Sequence, residues 1–305
     1  MHDDLARSVL AVPPLARRAD LTLDRAANAA LIRHIERGGI ATLMYGGNAN
    51  LYNAGLYDYA ELLDMLLELA GRDTWVIPSV GPDFGKMMDQ AAILRTRPFP
   101  TAMVLPAASH TTVAGVESGI ARFAERLGRP VIVYLRAETF LDPPAIRRLV
   151  DRGIVRAIKY GIVRPEPQED AFLAALVGLV DPKMVVSGIG ERPALAHWRR
   201  FGVASFTSGL VCIAPRASQA ILAALKRQDH ATAERLRSHF LPLEDCRDAL
   251  NPIRTLHEAV TLSGIADMGA MLPLLSNLEP QHHERVRAAA LALRAFDEEL
   301  GRAAA

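Results

Sequence analysis

Short runs that are apolar at nearly every position recur along the first three quarters of the chain. They are Ser8–Val12, Ile40–Tyr45, Trp75–Val80, Ala102–Leu105, Val131–Leu135, Val155–Tyr160, Met184–Ser187 and Ala204–Ser208. Runs of this length without alternation predict parallel strands covered on both faces. Segments with helical spacing lie between them. Asp24–Glu36 opens with a capping aspartate and carries Ala27, Leu31 and Ile35 at four-residue intervals. Tyr57–Leu69, Thr112–Leu127, Pro144–Val150, Asp170–Val180, Pro193–Phe201 and Ser218–Lys226 repeat the theme. Eight strands alternating with helices predict an α/β fold, a (β/α)8 TIM barrel. An open doubly wound sheet usually has fewer strands and a glycine-rich phosphate turn after the first. Here the first strand runs into Val12-Pro13-Pro14, which cannot form that turn. From His230 onward the strands stop, and Ala231–Leu241, Leu243–Leu250, Pro252–Leu262 and Gln281–Leu300 read as helices. The expected division is a catalytic barrel over residues 1–229 and a small C-terminal helical domain over 230–305.

Composition narrows the function. Among 305 residues, 35 basic side chains face 34 acidic ones, too even a balance for a protein that must neutralise phosphates. Aromatics at 6% leave few surfaces for stacking bases. The longest apolar run, Ala171–Val180, falls short of the roughly 20 residues that cross a bilayer. The start, Met-His-Asp-Asp, has neither the basic nor the apolar region of a secretory signal. Cys212 and Cys246 are the only cysteines, so no disulfide framework or cysteine metal site is implied. The expectation is a soluble cytoplasmic protein with no nucleic-acid or membrane partner.

Lysine is rare here: Lys86, Lys159, Lys183 and Lys226. Lys159 stands late in the sixth predicted strand, where alternation puts it on the same face as Ala157 and opposite Ile158 and Tyr160. If that face is inward, the ammonium points into the upper barrel, where active sites of this fold lie. Withdrawal from water lowers the pKa of an amine, and the neutral amine attacks a ketone to form a Schiff base. Arginine cannot do this, because guanidinium stays charged. The alternative is a strand-end lysine turned outward onto a carboxylate. Tyr134 ends the preceding strand at the same height and is placed to shuttle protons, unless it is only a packing phenol. Gly46-Gly47-Asn48 after the second strand offers backbone N–H groups to a carboxylate, although glycines there often serve only a turn.

These residues resemble the dihydrodipicolinate synthase / N-acetylneuraminate lyase superfamily of class I, Schiff-base aldolases. The resemblance spans nearly the whole chain. It rests on Gly38-Gly39-Ile40 through Tyr45-Gly46-Gly47, Pro130-Val131-Ile132-Val133-Tyr134, Ala157-Ile158-Lys159, Ser187-Gly188, Gly202-Val203-Ala204-Ser205, Asn251-Pro252 and Leu272-Pro273-Leu274. It implies a barrel with a three-helix tail, a homotetramer or homodimer, and a lysine imine with pyruvate or another 2-oxo acid, with no further cofactor. Lys159 would be the Schiff-base residue and Tyr134 the proton-transfer residue. Gly46, Gly47 and Asn48 would form the carboxylate loop, with Gly188 and Val203 lining the site.

The departures from the family pattern are specific. The family's loop commonly reads Gly-Thr/Ser-Thr-Gly-Glu, whereas this one reads Gly46-Gly47-Asn48-Ala49-Asn50 and lacks the paired hydroxyls. Pro106 is followed by Ala107-Ala108, where the synthases carry two tyrosines, the second completing a proton relay. The synthases' Asn-Val-Pro-x-Arg is replaced by Leu135-Arg136-Ala137-Glu138-Thr139, and Tyr160 stands where an acidic residue is common. The expected function is a Schiff-base lyase, an aldolase or dehydratase of a 2-oxo acid that is not an authentic dihydrodipicolinate synthase. Arg136, Glu138, Ser109 and His110 are candidates for reading its substrate. The alternative is a degenerate barrel that binds a 2-oxo acid without turnover. The histidines do not support a metal site: adjacent His282-His283 diverge on a helix, and His230, His239 and His257 lack the spacing of ligands on one face. Cys212, in Leu210-Val211-Cys212-Ile213, reads as core.

Overall fold

A computed structural model describes residues 5–107 and 109–303. Eight parallel strands close into a barrel in sequence order: β1 (Leu10–Ala11), β2 (Thr42–Tyr45), β3 (Trp75–Val80), β4 (Met103–Val104), β5 (Val131–Leu135), β6 (Val155–Tyr160), β7 (Val185–Ser187) and β8 (Ser205–Ser208). The seam closes where Leu10 of β1 pairs with Thr207 of β8. The eight crossover helices are α1 (Arg25–Arg37), α2 (Tyr59–Leu69), α3 (Phe84–Arg95), α4 (Val113–Leu127), α5 (Pro143–Asp151), α6 (Ala171–Leu179), α7 (Glu191–Phe201) and α8 (Pro215–Lys226). The chain is therefore a TIM barrel, as the strand pattern predicts.

Local chemistry sets the helix boundaries. Asp24, Thr112, Asp142 and Asp170 each accept an N–H bond from the first turn of the helix they precede, worth about 1 kcal/mol apiece. Gly128 (φ 78°) and Gly202 (φ 67°) end α4 and α7 in the left-handed conformation that glycine adopts without strain. One expectation needs correction, and one element has none. The first and fourth strands shrink to two residues each, as the barrel pairing there is brief. The helix α3, for which no segment is named from sequence, lacks a clean apolar stripe: its buried face includes Gln90, whose side chain accepts the Gly81 N–H at 2.7 Å.

After α8 come α9 (His230–Ser238), α10 (Leu241–Ala249), α11 (Pro252–Leu262) and α12 (His283–Ala303). Asn251 caps α11 through the N–H groups of Ile253 and Arg254. The helix α12 lies against α8 and α11, and buried Asp297 accepts the Ala217 N–H at 2.8 Å and pairs with Arg216. Deeper in the molecule, Arg17 and Asp58 form a buried ion pair at 2.9 Å. No helix among the described residues is long and apolar enough to cross a membrane.

Candidate active site

A cavity of about 210 Å³ opens among the carboxyl ends of the strands, where this fold places its chemistry. Lys159 lies in it, 3% exposed, with its stem inside the barrel. Strand alternation sends Tyr160 the other way. Its phenol donates to Asp170 at 2.5 Å, in the layer between β6 and the surrounding helices. Tyr134 of β5 is the register partner of Lys159, and the Lys159 Nζ stands 4.3 Å from the centre of its ring. Burial, with the nearby charges of Arg136 and Arg247, pulls the Lys159 amine down from 10.5 to about 7. Burial pushes the Tyr134 phenol up, so it stays protonated as an acid near neutrality.

Glycines shape the floor. A Cβ on Gly188 would stand 2.6 Å from the Tyr160 carbonyl oxygen and 3.0 Å from the Lys159 Cγ, so only glycine lets β7 pass this close to the lysine stem. A Cβ on Gly161 would stand 2.7 Å from the Tyr134 ring. In the loop after β2, the Asn50 N–H bonds the Gly47 carbonyl and the Leu51 N–H bonds the Gly46 carbonyl. The N–H groups of Gly47 and Asn48 have no such partner among the described residues, and both residues line the cavity. The Asn48 side-chain amide spends one hydrogen on the Val12 carbonyl at 2.8 Å, tying the loop to β1.

Of the residues expected at the site, Lys159, Tyr134, Gly47, Asn48, Gly188 and Arg136 line this cavity. Gly46 does not. It is buried just below, where a Cβ would stand 2.8 Å from Ser79 Oγ and Met103 Cε. Val203 does not line it either. It precedes β8 at the amino end of the strand, beside the Ala204 N–H bond to Val185, the first residue of β7. The expectation for Val203 is therefore corrected: it is a core residue at the far end of the barrel. Ser109 and His110 bond each other at 2.9 Å in a separate groove with Phe84 and Met87. Glu138 is taken by Arg164. Ala108 lies outside the described residues. Cys212 is buried, and burial raises its thiol. A larger open groove of about 920 Å³ runs outside the barrel between α4 and the segments leading into β5 and β6, remote from this chemistry.

Sequence reasoning missed Tyr52, Thr207, Arg192, Glu244 and Arg247, all of which line the cavity. Glu244 and Arg247 belong to α10, and no local pattern announces that this helix reaches the barrel mouth. Glu244 accepts the Glu191 N–H at 3.0 Å and the Arg192 N–H at 3.3 Å, satisfying two donors at the start of α7. Burial and the charge of Glu191 hold the Glu244 carboxyl above its ordinary range. Glu191, also raised by burial, accepts the Ser208 hydroxyl at 2.9 Å and the Ser218 hydroxyl at 2.6 Å.

No family model matches the sequence. A probable 5-dehydro-4-deoxyglucarate dehydratase 2 from Streptomyces coelicolor is 23% identical over 255 residues, covering 81% of this chain and 77% of that protein. Its counterpart from Streptomyces avermitilis is 23% identical over 299 residues, covering 90% and 88%. The similarity to these dehydratases runs along most of the chain, in keeping with the resemblance to the dihydrodipicolinate synthase / N-acetylneuraminate lyase superfamily drawn from sequence. Solved structures share the fold. A dihydrodipicolinate synthase from Bacillus clausii aligns with a TM-score of 0.82 at 19% identity, over 95% of this chain and 98% of that one. A prophage protein of the dihydrodipicolinic acid synthase family from E. coli K12, solved in complex with pyruvate, aligns with a TM-score of 0.82 at 18% identity, over 94% and 98%. The relatives found by sequence are named as dehydratases, which are lyases, and the similar structures as dihydrodipicolinate synthase and a member of its family.

Proposed function

We propose that the chain is a Schiff-base lyase acting on pyruvate or another 2-oxo acid through an imine on Lys159. The observation that carries this reading is the buried Lys159 amine, drawn down to about 7 and set against the Tyr134 ring inside the barrel mouth. Near neutral pH roughly half of such amines are uncharged and nucleophilic. In this reading the substrate carboxylate docks on the N–H groups of Gly47 and Asn48. The Lys159 nitrogen bonds to the ketone carbon, Tyr134 moves the proton, and the ketone oxygen leaves as water. The resulting iminium draws electrons from C3, whose proton departs to give an enamine. That enamine either expels a hydroxide from C4, completing a dehydration, or takes part in making or breaking the C3–C4 bond. Dehydration is favoured because both curated relatives are named as probable dehydratases. No metal enters any step, and an assembly of two or four copies belongs to the same proposal.

Borohydride reduction in the presence of pyruvate tests the imine. A reduced pyruvyl adduct on Lys159, absent from Lys159→Ala, supports the proposal. An unlabelled lysine refutes it. Loss of water from 5-dehydro-4-deoxyglucarate, followed by mass spectrometry, tests the dehydration. Labelling without turnover of any 2-oxo acid would make the barrel a binder.

A further inference from the structure

The carboxylate loop of this site has a deficit. Gly47 and Asn48 contribute backbone N–H groups and one amide but no cation, so a charged ligand group must find its counter-charge elsewhere. Four cations line the cavity: Lys159, Arg136, Arg192 and Arg247. Lys159 is the nucleophile of the reading above. Arg192 is engaged by Asp245 at 2.5 Å, Asp248 at 3.3 Å and Glu244 at 3.6 Å. Arg136 sits at the β5 side of the mouth near the Tyr52 phenol and, like Arg247, forms no ion pair with a carboxylate among the described residues. Arg247 differs in its place, beside Asn48 across Gly209. Its Nε donates to the Pro252 carbonyl at 3.3 Å, and although its charge is felt by the buried Glu244 and Glu191 carboxyls, it forms no ion pair with a carboxylate among the described residues.

The position of its guanidinium follows from two glycines. A Cβ on Gly190 would stand 3.8 Å from Arg247 Nη1. A Cβ on Gly209 would stand 3.4 Å from Arg247 Nη2 and 2.9 Å from Asn48 Nδ2. The guanidinium and Asn48 therefore both face the bare α-carbon of one glycine, close enough for the two oxygens of a single carboxylate to reach both with ordinary hydrogen bonds. Any larger residue at 209 would part them, and its Cβ would also lie 2.8 Å from Leu256 Cδ2.

We propose that Arg247, carried by the tail helix α10, anchors the substrate carboxylate that adjoins the ketone, acting together with the N–H groups of Gly47 and Asn48. This makes Arg247 the residue by which the site selects 2-oxo acids over neutral ketones. The assignment rests on the 2-oxo acid reading of the site. It also gives the fork-shaped guanidinium a bidentate anionic partner, which no carboxylate supplies within ion-pair distance among the described residues. The charge of Arg247 already bears on Lys159, so an anion seated there would partly neutralise the cation beside the amine.

The test compares pyruvate with pyruvamide, a ketone of similar shape without the charge. Half-saturating concentrations for borohydride trapping on Lys159 are measured for both. The expected result is a wild-type preference for pyruvate that falls at least about tenfold in Arg247→Gln, is partly restored in Arg247→Lys, and persists in Arg136→Gln. A merely structural role for Arg247 would weaken both ligands alike and leave the preference intact. A preference in Arg247→Gln within threefold of wild type overturns the inference. Saturation-transfer NMR in Lys159→Met, where no imine forms, separates this from failure of the imine reading. There, adding Arg247→Gln should weaken pyruvate binding at least about tenfold, and equal binding with and without that change overturns the anchor whatever the lysine does.

Discussion

A reactive amine held uncharged in a protein interior should weaken the fold that holds it, and Lys159→Met measures by how much. In the unfolded chain a lysine titrates near 10.4, whereas in the folded protein Lys159 titrates at about 7. Between those values the unfolded chain carries a proton that the folded chain has released. Stability therefore rises with pH through the window from about 7 to about 10, and levels off below it once the folded form also binds the proton. Integrated over that window, the lysine costs about 4 kcal/mol at pH 7 and about 2 kcal/mol at pH 9. Methionine keeps the length of the stem and removes the charge. Lys159→Met should be more stable than wild type near pH 7 by a few kcal/mol, and its advantage should shrink by about 2 kcal/mol at pH 9. Urea denaturation of both proteins at the two pH values gives the difference directly. An advantage that is absent at pH 7, or constant with pH, would mean that the amine is not held neutral.

Other perturbations bear on different parts of the molecule. Tyr134→Phe should lower turnover by about 10²–10⁴-fold with an unchanged circular dichroism spectrum, and near-normal steady-state rates would remove the phenol from the mechanism. Gly161→Ala drives a methyl group to within 2.7 Å of the Tyr134 ring. The displaced phenol should cost about 10²-fold in turnover, read as kcat against a melting curve that confirms folding. Arg17→Met leaves Asp58 buried without its partner and should destabilise by about 3–5 kcal/mol in denaturant titration. Adding Asp58→Leu should recover much of that loss.

The barrel was legible because its strands are buried on both faces. Trp75–Val80, Val131–Leu135 and Val155–Tyr160 form the observed strands β3, β5 and β6 with the boundaries their apolar runs predict. The helix α3 was not, since Gln90 interrupts its buried face in order to hold the Gly81 N–H. Lys159 and Tyr134 could be placed together because alternation and parallel pairing relate adjacent strands by local rules, and their register bears that out. Val203 was misplaced for a related reason: it lies before β8, at the wrong end of that strand for the mouth. Arg247 and Glu244 were invisible. Their approach to the barrel depends on how a helix some ninety residues beyond the lysine folds back, and no periodicity encodes that return.

That return orders events during synthesis. The residues that line the cavity from β1 to β8 are complete by Gly209, whereas Glu244, Arg247, Pro252 and Ile253 emerge afterwards. A nascent chain released before α10 would leave the mouth of the barrel unroofed and the lysine open to water. At about 5–20 residues per second, the ribosome delivers that cover only seconds after the strands it protects.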